Sequence, residues 1–254
     1  MEVCDMTDFT VDRKKAIAFL SSFGESVEDL LVMVAGARLT GTVANSQFFL
    51  RKQAVIPPIQ IQSDGKLGVS DLKKVVQFCK KGNNELVRFT QQDVGKQLTV
   101  RCGGMTLKIP TMKEIGSHAA VPAAEKVYGK VEENMFTSLK DKEIEGHGEI
   151  NVTNLKSLSG FQNFFTYPNF LISIHPEEGE FFIKAGKQGT MQLTIDTVLD
   201  NAQGPNKRLE SRFGKWLMPC VAVLDGGNAN VHMGEDTSLF LVQNDNLLVV
   251  KNEA

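Results

Sequence analysis

Residues 69–111, VSDLKKVVQFCKKGNNELVRFTQQDVGKQLTVRCGGMTLKIPT, decide how the rest of the chain is read. At about 100° per residue, Leu72, Val75, Val76, Phe78 and Cys79 fall on one arc of a helix. Lys73, Lys74, Gln77, Lys80 and Lys81 fall on the opposite arc. One face is apolar and the other almost purely cationic. Ser70 is the expected N-cap, because its hydroxyl can accept from a free amide of the first turn. Gly82-Asn83-Asn84 stops the helix, Glu85–Thr90 and Gln97–Arg101 form an expected hairpin, and Met105–Ile109 is an expected closing strand. A helix that seals a sheet with one face and presents lysines on the other suits a polyanion.

The same order recurs. Thr10 is the expected cap of a helix in which Ala16, Ile17, Phe19, Leu20 and Phe23 gather on one arc, with Lys14 and Lys15 on the other. Leu30–Val34, Arg38–Val43 and Gln47–Arg51 follow as expected strands, separated by turn-like Ala35-Gly36 and Ala44-Asn45-Ser46. Val55–Gln62 is a further expected strand that begins at an edge or bulge, because Pro57 and Pro58 cannot donate to a ladder. After Glu149–Val152 comes an expected helix, LKSLSGFQNFF, with Leu155, Leu158, Phe161 and Phe165 on one face. Lys156 is the single cation on its other face. Phe170–Ile174, Phe181–Lys184 and Met191–Ile195 are its three strands, with Glu177-Glu178-Gly179 as a turn. Asn201–Pro205 reads as a loop and Leu209–Lys215 as a strand. Trp216–Leu224 is a short helix with Pro219 in its first turn, where proline is tolerated. Asn230–Met233, Ser238–Val242 and Leu247–Lys251 complete a fourth set. A period of roughly fifty residues thus gives four copies of a helix followed by three strands.

The stretch 112–145 breaks the period. It is rich in small residues and charge, and is the expected connector between a first domain at 1–111 and a second at 146–254. A strand around Lys126–Val131 is expected within it.

Composition bounds the function. The chain has 254 residues and a formal net charge of −2, unlike the globally basic balance of an ordinary nucleic-acid binder. Windows 11–22 and 70–81 carry +2 and +3, so the remainder carries −7. Cys4, Cys79, Cys102 and Cys220 lie far apart, without a CxxC pair, which suits reduced thiols in a reducing compartment. MEVCDMTDFT lacks a basic region followed by an apolar run, and no apolar run reaches membrane-spanning length. A soluble cytoplasmic protein, bacterial or in a phage-infected host, is expected.

Three stretches carry a family resemblance: SDLKKVVQFCKK…NELVRFTQQDVGKQLTVRCGGMTLKIPT, INVTNLKSLSGFQNFF…FLISIHPEEGEFFIKAGKQGTMQLTID, and FGKWLMPCVAVLDGGNANVHMGEDTSLFLVQNDNLLVVKNEA. In the order of helix, hairpin and closing strand, the chain resembles the DNA sliding clamps, the polymerase processivity factors typified by proliferating cell nuclear antigen and phage clamps. The resemblance implies an α+β clamp fold of two similar domains, each of two helix-plus-three-strand repeats. It also implies a homotrimeric ring with helices inside and sheets outside. Its partners would be double-stranded DNA without sequence preference, a DNA polymerase and a clamp loader, and it would perform no catalysis and need no cofactor. By match, Lys14, Lys15, Lys73, Lys74, Lys80, Lys81, Lys156 and Lys215 would face the duplex. Alone, such lysines read as a solvated helix face; the repeat favours DNA most for Lys73, Lys74, Lys80 and Lys81.

The later helices depart from the family's pattern by being poor in cations. A partner peptide would enter a groove beside Met112–Ala124 and Leu247–Asn252, with Leu247, Leu248, Val249 and Val250 as candidate contacts; the same four also read as strand core. Subunits would join by pairing Met105–Ile109 with Thr190–Ile195. Two other readings stay open: a monomeric, open processivity factor, and a structural β-rich phage protein without a DNA role.

Other motifs fail on spacing. His118, His147, His175 and His232 lie apart and read as loop or surface histidines. Asp225-Gly226-Gly227-Asn228-Ala229-Asn230 begins like a calcium loop, yet its sixth residue is Asn230 and its twelfth Asp236. The glycine-rich run at 186–190 lacks phosphate-loop spacing. No metal ligands, GxSxG or paired catalytic carboxylates stand out.

Overall fold

A computed structural model describes residues 6–45, 47–57, 60–110, 138–139, 142–157, 160, 169–186 and 192–253. The chain divides into two compact units, residues 1–44 with 51–122, and residues 45–50 with 123–254. Most of the expected connector at 112–145, including the strand expected at Lys126–Val131, lies outside the described residues; two short paired strands, Ser138–Leu139 and Lys142–Glu143, fall inside it.

In the first unit the order is β1 (Thr7–Asp12), α1 (Arg13–Ser21), β2 (Leu30–Ala35), β3 (Arg38–Ala44), β4 (Phe48–Val55), β5 (Gln60–Ser63), β6 (Gly65–Val69), α2 (Leu72–Lys81), β7 (Leu86–Gln91), β8 (Leu98–Cys102) and β9 (Met105–Ile109). Each repeat is therefore a strand, a helix and three strands, with the short β5 added at the end of the first. The leading strands are exchanged: β1 pairs with β7 of the second repeat, while β6 pairs with β2 of the first. One sheet runs β5-β1-β7-β8-β9, and the other contains β6-β2-β3-β4.

After the short strands β10 (Ser138–Leu139) and β11 (Lys142–Glu143), the second unit repeats the scheme. Its elements are β12 (Gly146–Asn151), α3 (Val152–Ser157), β13 (Phe170–His175), β14 (Glu180–Ala185), β15 (Leu193–Val198), β16 (Asp200–Gln203), β17 (Leu209–Phe213), α4 (Leu217–Ala222), β18 (Asn228–Met233), β19 (Leu239–Gln243) and β20 (Asn246–Val250). Here β12 pairs with β18 and β17 with β13, giving β16-β12-β18-β19-β20 and β15-β14-β13-β17. The first residues of β4 count with this unit, next to β20, where the Lys251 amide donates to the Gln47 carbonyl at 2.8 Å.

The exchange interlocks the two repeats of each unit. In the first unit Phe9 of β1 stacks on Phe89 of β7 at 5.3 Å, tying the first repeat's leading strand to the second repeat's sheet. Phe19 and Phe23 pack edge to face at 5.4 Å, and a Cβ on Gly41 would overlap the Phe23 ring, so glycine there lets Phe19 of α1 and Phe23 just beyond it rest on β3. In the second unit Phe170, Ile172, Ile183, Phe213, Leu217 and Val221 are fully buried. Burying such side chains contributes roughly 1.5–3 kcal/mol each relative to leaving them exposed.

Several boundaries differ from the sequence reading. The α1 cap is Asp12, whose carboxylate accepts from the Lys15 amide at 2.8 Å; Thr10 sits inside β1. Thr7, Phe9 and Val11 alternate along the buried face of β1, a period-two pattern that runs up to the cap. The α2 cap is Asp71, in left-handed backbone at φ 56°, while the Ser70 hydroxyl donates to the Pro110 carbonyl at 2.8 Å. The segment read as one strand from Val55 to Gln62 instead holds the end of β4 and the short β5. β6, with two glycines in five residues, has weak strand propensity and is secured from outside: the Gly68 amide donates to Gln91 Oε1 at 2.7 Å. The loop expected at Asn201–Pro205 is partly strand β16. β15 begins two residues after the expected Met191, and 190–191 lie outside the described residues.

Candidate nucleic-acid interface

In the first unit α1 and α2 lie antiparallel, side by side. Arg13 fixes this arrangement. Its amide donates to the Glu85 carbonyl at 2.8 Å, its Nε to the Asn84 carbonyl at 2.6 Å and its Nη1 to the Cys79 carbonyl at 3.0 Å. A guanidinium on the last carbonyls of a helix also opposes the negative end of its dipole. The start of α1 is thereby held at the end of α2, and Leu20 and Ser21 at the end of α1 line one groove with Leu72 and Lys73 at the start of α2; the Leu72 amide donates to the Glu28 carbonyl, in the segment after α1, at 2.8 Å.

The buried faces are Ala16, Phe19 and Leu20 on α1 and Leu72, Val75, Val76 and Cys79 on α2. The lysines point away from them, unlike Arg13. Lys14, Lys15, Lys73, Lys74, Lys80 and Lys81 are all exposed. Lys80 and Lys81 occupy the last turn of α2, where positive charge offsets the dipole. Lys74 pairs with Asp71 one turn earlier on α2. Lys73 and Lys80 border a shallow groove of about 210 Å³ between the helices, with Leu20, Ser21, Glu25 and Gln77. The structure thus brings six of the eight expected lysines onto one two-helix face.

The other two are placed differently. Lys156 on α3 is half-buried, and its ammonium donates to the Leu224 carbonyl, just past the end of α4, at 2.5 Å. It ties the two helices of its unit much as Arg13 does. Lys215 precedes α4, is exposed, and sits 5.8 Å from the centre of the Trp216 ring, in cation–π range. Outward positions of these helices carry Thr153, Asn154, Ser157 and Ala222, none of them charged. The continuation of the third helix expected through Phe165 lies outside the described residues, apart from Gly160.

Of the residues assigned to a partner groove, Leu247, Leu248 and Val250 are buried in β20 and Val249 is partly exposed. β20 pairs with β19 along its length, from Leu239 opposite Val250 to Gln243 opposite Asn246. The tail beyond it is fastened by the Glu253 amide on the Arg212 carbonyl at 2.7 Å and by Asn252 Nδ2 on the Asp236 carbonyl at 2.8 Å. Of the segment Met112–Ala124, nothing lies within the described residues.

Sequence reasoning missed Arg13, which follows a cap and was counted only as charge. It also set His147 and His232 apart as surface or loop residues. They are half-buried strand residues facing each other across β12 and β18, with Nδ1 atoms 2.7 Å apart. Burial holds both imidazoles below the ordinary value of 6.5, and His232 falls to about 4. No signal in a single sequence joins two histidines 85 residues apart. Among the described residues no group of three or more histidine, cysteine or carboxylate side chains could hold a metal ion. Cys79, Cys102 and Cys220 are free and buried, and burial pushes the Cys79 and Cys220 thiols up to about 12. No helix among the described residues is long and apolar enough to cross a membrane.

Exchanged leading strands, paired helices and four repeats define the DNA sliding-clamp fold, and solved structures agree. The chain superposes on the PCNA of A. fulgidus, solved with the C-terminal region of FEN-1 bound, with a TM-score of 0.63 and 12% identity, covering 98% of both chains. On the PCNA of Thermococcus kodakaraensis the TM-score is 0.64 at 10% identity, covering 97% of this chain and 100% of that one. On the DNA polymerase III subunit beta of Pseudomonas aeruginosa it is 0.67 at 15% identity, covering 97% of this chain and 64% of that one. The chain therefore spans nearly the whole of the PCNA chains and just under two thirds of the bacterial one. No protein-family model matches the sequence, nor does any curated protein, so the likeness rests on three-dimensional structure.

Proposed function

We propose that this protein is a DNA sliding clamp: a ring that encircles duplex DNA and tethers a DNA polymerase, raising its effective concentration at the primer end. The observation that carries this reading is the α1–α2 face, where six exposed lysines stand on the helical side of a clamp fold. Lys14, Lys15, Lys73, Lys74, Lys80 and Lys81 make phosphate contacts that carry no sequence information. Lys215 contributes at the margin, and Lys156 chiefly holds its own unit together. The protein has no catalytic role. A chain of two clamp domains, 1–111 and 146–254 joined by 112–145, closes as a homotrimer, as its match in length to the PCNA chains supports. A clamp loader opens the ring, and the setting is the cytoplasm.

The likeness to a PCNA solved with the C-terminal region of FEN-1 supports a site for partner peptides. With Leu247, Leu248 and Val250 serving as strand core, Val249 is the member of that set with surface to offer.

The test is polymerase processivity on primed DNA with a cognate loader. Wild-type protein lengthens products, and Lys73, Lys74, Lys80 and Lys81 changed together to glutamate do not. Unchanged product length for the folded variant would favour a structural protein without a DNA role.

A further inference from the structure

The fold brings two of the chain's four histidines into contact. His147 of β12 and His232 of β18 stand directly opposite each other in the strand pairing. Their ring centres are 4.9 Å apart, the ring planes cross at 70°, and the Nδ1 atoms approach to 2.7 Å. Along each strand the neighbours on either side are buried: Gly146 and Gly148 beside His147, Val231 and Met233 beside His232. The histidines therefore share the opposite face of the sheet, where both keep some exposure to water.

In a hydrogen bond between two neutral imidazoles, one Nδ1 carries the proton and the other accepts it. Burial keeps both rings neutral at pH 7, the form in which imidazole binds metals. Two imidazole nitrogens on one metal, each at about 2.0–2.1 Å from it, lie roughly 2.9–3.4 Å apart. The 2.7 Å separation is thus within about 1 Å of a chelating bite, a shift that side-chain rotation supplies. The donor ring then takes its other neutral tautomer, with its proton on Nε2, so no net proton is lost. The His147 ring also has a backbone hydrogen bond at Ile144, the kind of second contact that orients a ligating imidazole. Glu149, the next side chain along this face of β12, is engaged elsewhere: its Oε1 accepts from Asn228 Nδ2 at 2.5 Å. Water is left to complete the coordination, in keeping with the lack of a group of three or more such ligands among the described residues.

We propose that His147 and His232 form an open two-histidine site for a divalent transition metal of the zinc and nickel type, each ring ligating through Nδ1, across the β12–β18 pair. Imidazole suits these ions, whereas calcium and magnesium take oxygen ligands. The metal staples the strand that opens the second unit's first repeat to a strand of its second repeat. Because such a site exists only when β12 and β18 are paired, bound metal stabilises the folded second unit. The site does not depend on ring closure or on DNA.

The test is calorimetric titration of the untagged chain, stripped with a chelator, with zinc chloride and separately nickel chloride at neutral pH. Wild-type protein takes up one ion per chain. His147→Gln and His232→Gln each weaken uptake by about tenfold or more, at least what losing an outer-shell partner costs. His175→Gln leaves it unchanged. Saturating zinc raises the melting temperature of the wild type and of neither pair variant. The electron paramagnetic resonance spectrum of the copper(II) form shows two imidazole nitrogens in the wild type and one in each pair variant. No uptake by the wild type, or equal affinity in the wild type and both pair variants, overturns the site and leaves a hydrogen-bonded pair only. Should a variant fail to fold, a wild-type copper spectrum with fewer than two imidazole nitrogens overturns it by itself.

Discussion

The two units share a scaffold and differ in what they hang on it. In the first, the Arg13 amide at the start of α1 meets the Glu85 carbonyl; in the second, the Val152 amide at the start of α3 meets the Gly227 carbonyl in the same way. Counted from those residues, Lys14 and Lys15 correspond to Thr153 and Asn154. α2 displays Lys73, Lys74, Lys80 and Lys81, whereas α4 offers partly exposed Pro219 and exposed Ala222. Each unit uses one cation as a clasp between its helices, Arg13 in one and Lys156 in the other. The fold therefore fixes where helices sit, while the outward side chains are free to differ. In the proposed ring, the first unit of each chain would supply the cationic contacts to DNA and the second few.

Charge reversal separates the two units most sharply. Changing Lys73, Lys74, Lys80 and Lys81 to glutamate is expected to lower affinity for duplex DNA by about 100-fold or more at low salt, read by fluorescence anisotropy, and to flatten the salt dependence. The double change Lys156→Glu with Lys215→Glu is expected to do far less to DNA than to stability.

Acid separates the units next. Between 6.5 and about 4 the unfolded chain binds a proton at His232 that the folded chain refuses, because burial and the neighbouring His147 keep that imidazole neutral. Stability of the second unit should fall as pH drops through that window, by up to about 3 kcal/mol, and level off below it. The first unit has its own acid-sensitive contact: buried Asp8 accepts from Arg88 Nε at 2.8 Å and is held below its ordinary 3.8 mainly by that guanidinium. Its contribution is present above 3.8 and is lost only as pH falls below that value through its folded pKa. Chemical denaturation at stepped pH, followed by hydrogen exchange in each unit, should show the second unit weakening first.

A smaller effect is expected at the clasp. Lys156→Met should cost about 1–2 kcal/mol, from losing a charge-assisted bond to a helix-end carbonyl, with DNA affinity changed less than about twofold. Smallest of all, Thr153→Lys with Asn154→Lys should raise DNA affinity a few-fold by giving the second unit the first unit's charges.

Much of the architecture was legible in the sequence. The helical stripe of Leu72, Val75, Val76 and Cys79 and the strand at Met105–Ile109 are where the pattern puts them, because a repeated period multiplies weak local signals. What stayed hidden is non-local. The leading strands β1 and β6 are short or glycine-bearing, and they exist because a partner strand from the other repeat is waiting for them. The exposed lysines were visible as a stripe, but Arg13 gains its meaning only beside the carbonyls at 79 and 84. Likewise, Lys156 reads as an exposed cation until Leu224 is placed next to it.

In the proposed function, DNA passes through a closed ring. Protomers can be mixed dilute with nicked circular duplex DNA, concentrated to drive assembly, and washed in high salt. The circles are then cut once with a restriction enzyme. The clamp reading predicts protein retained on the circles and released on cutting. Equal retention on cut and uncut DNA, or none on either by a chain that assembles, would contradict it.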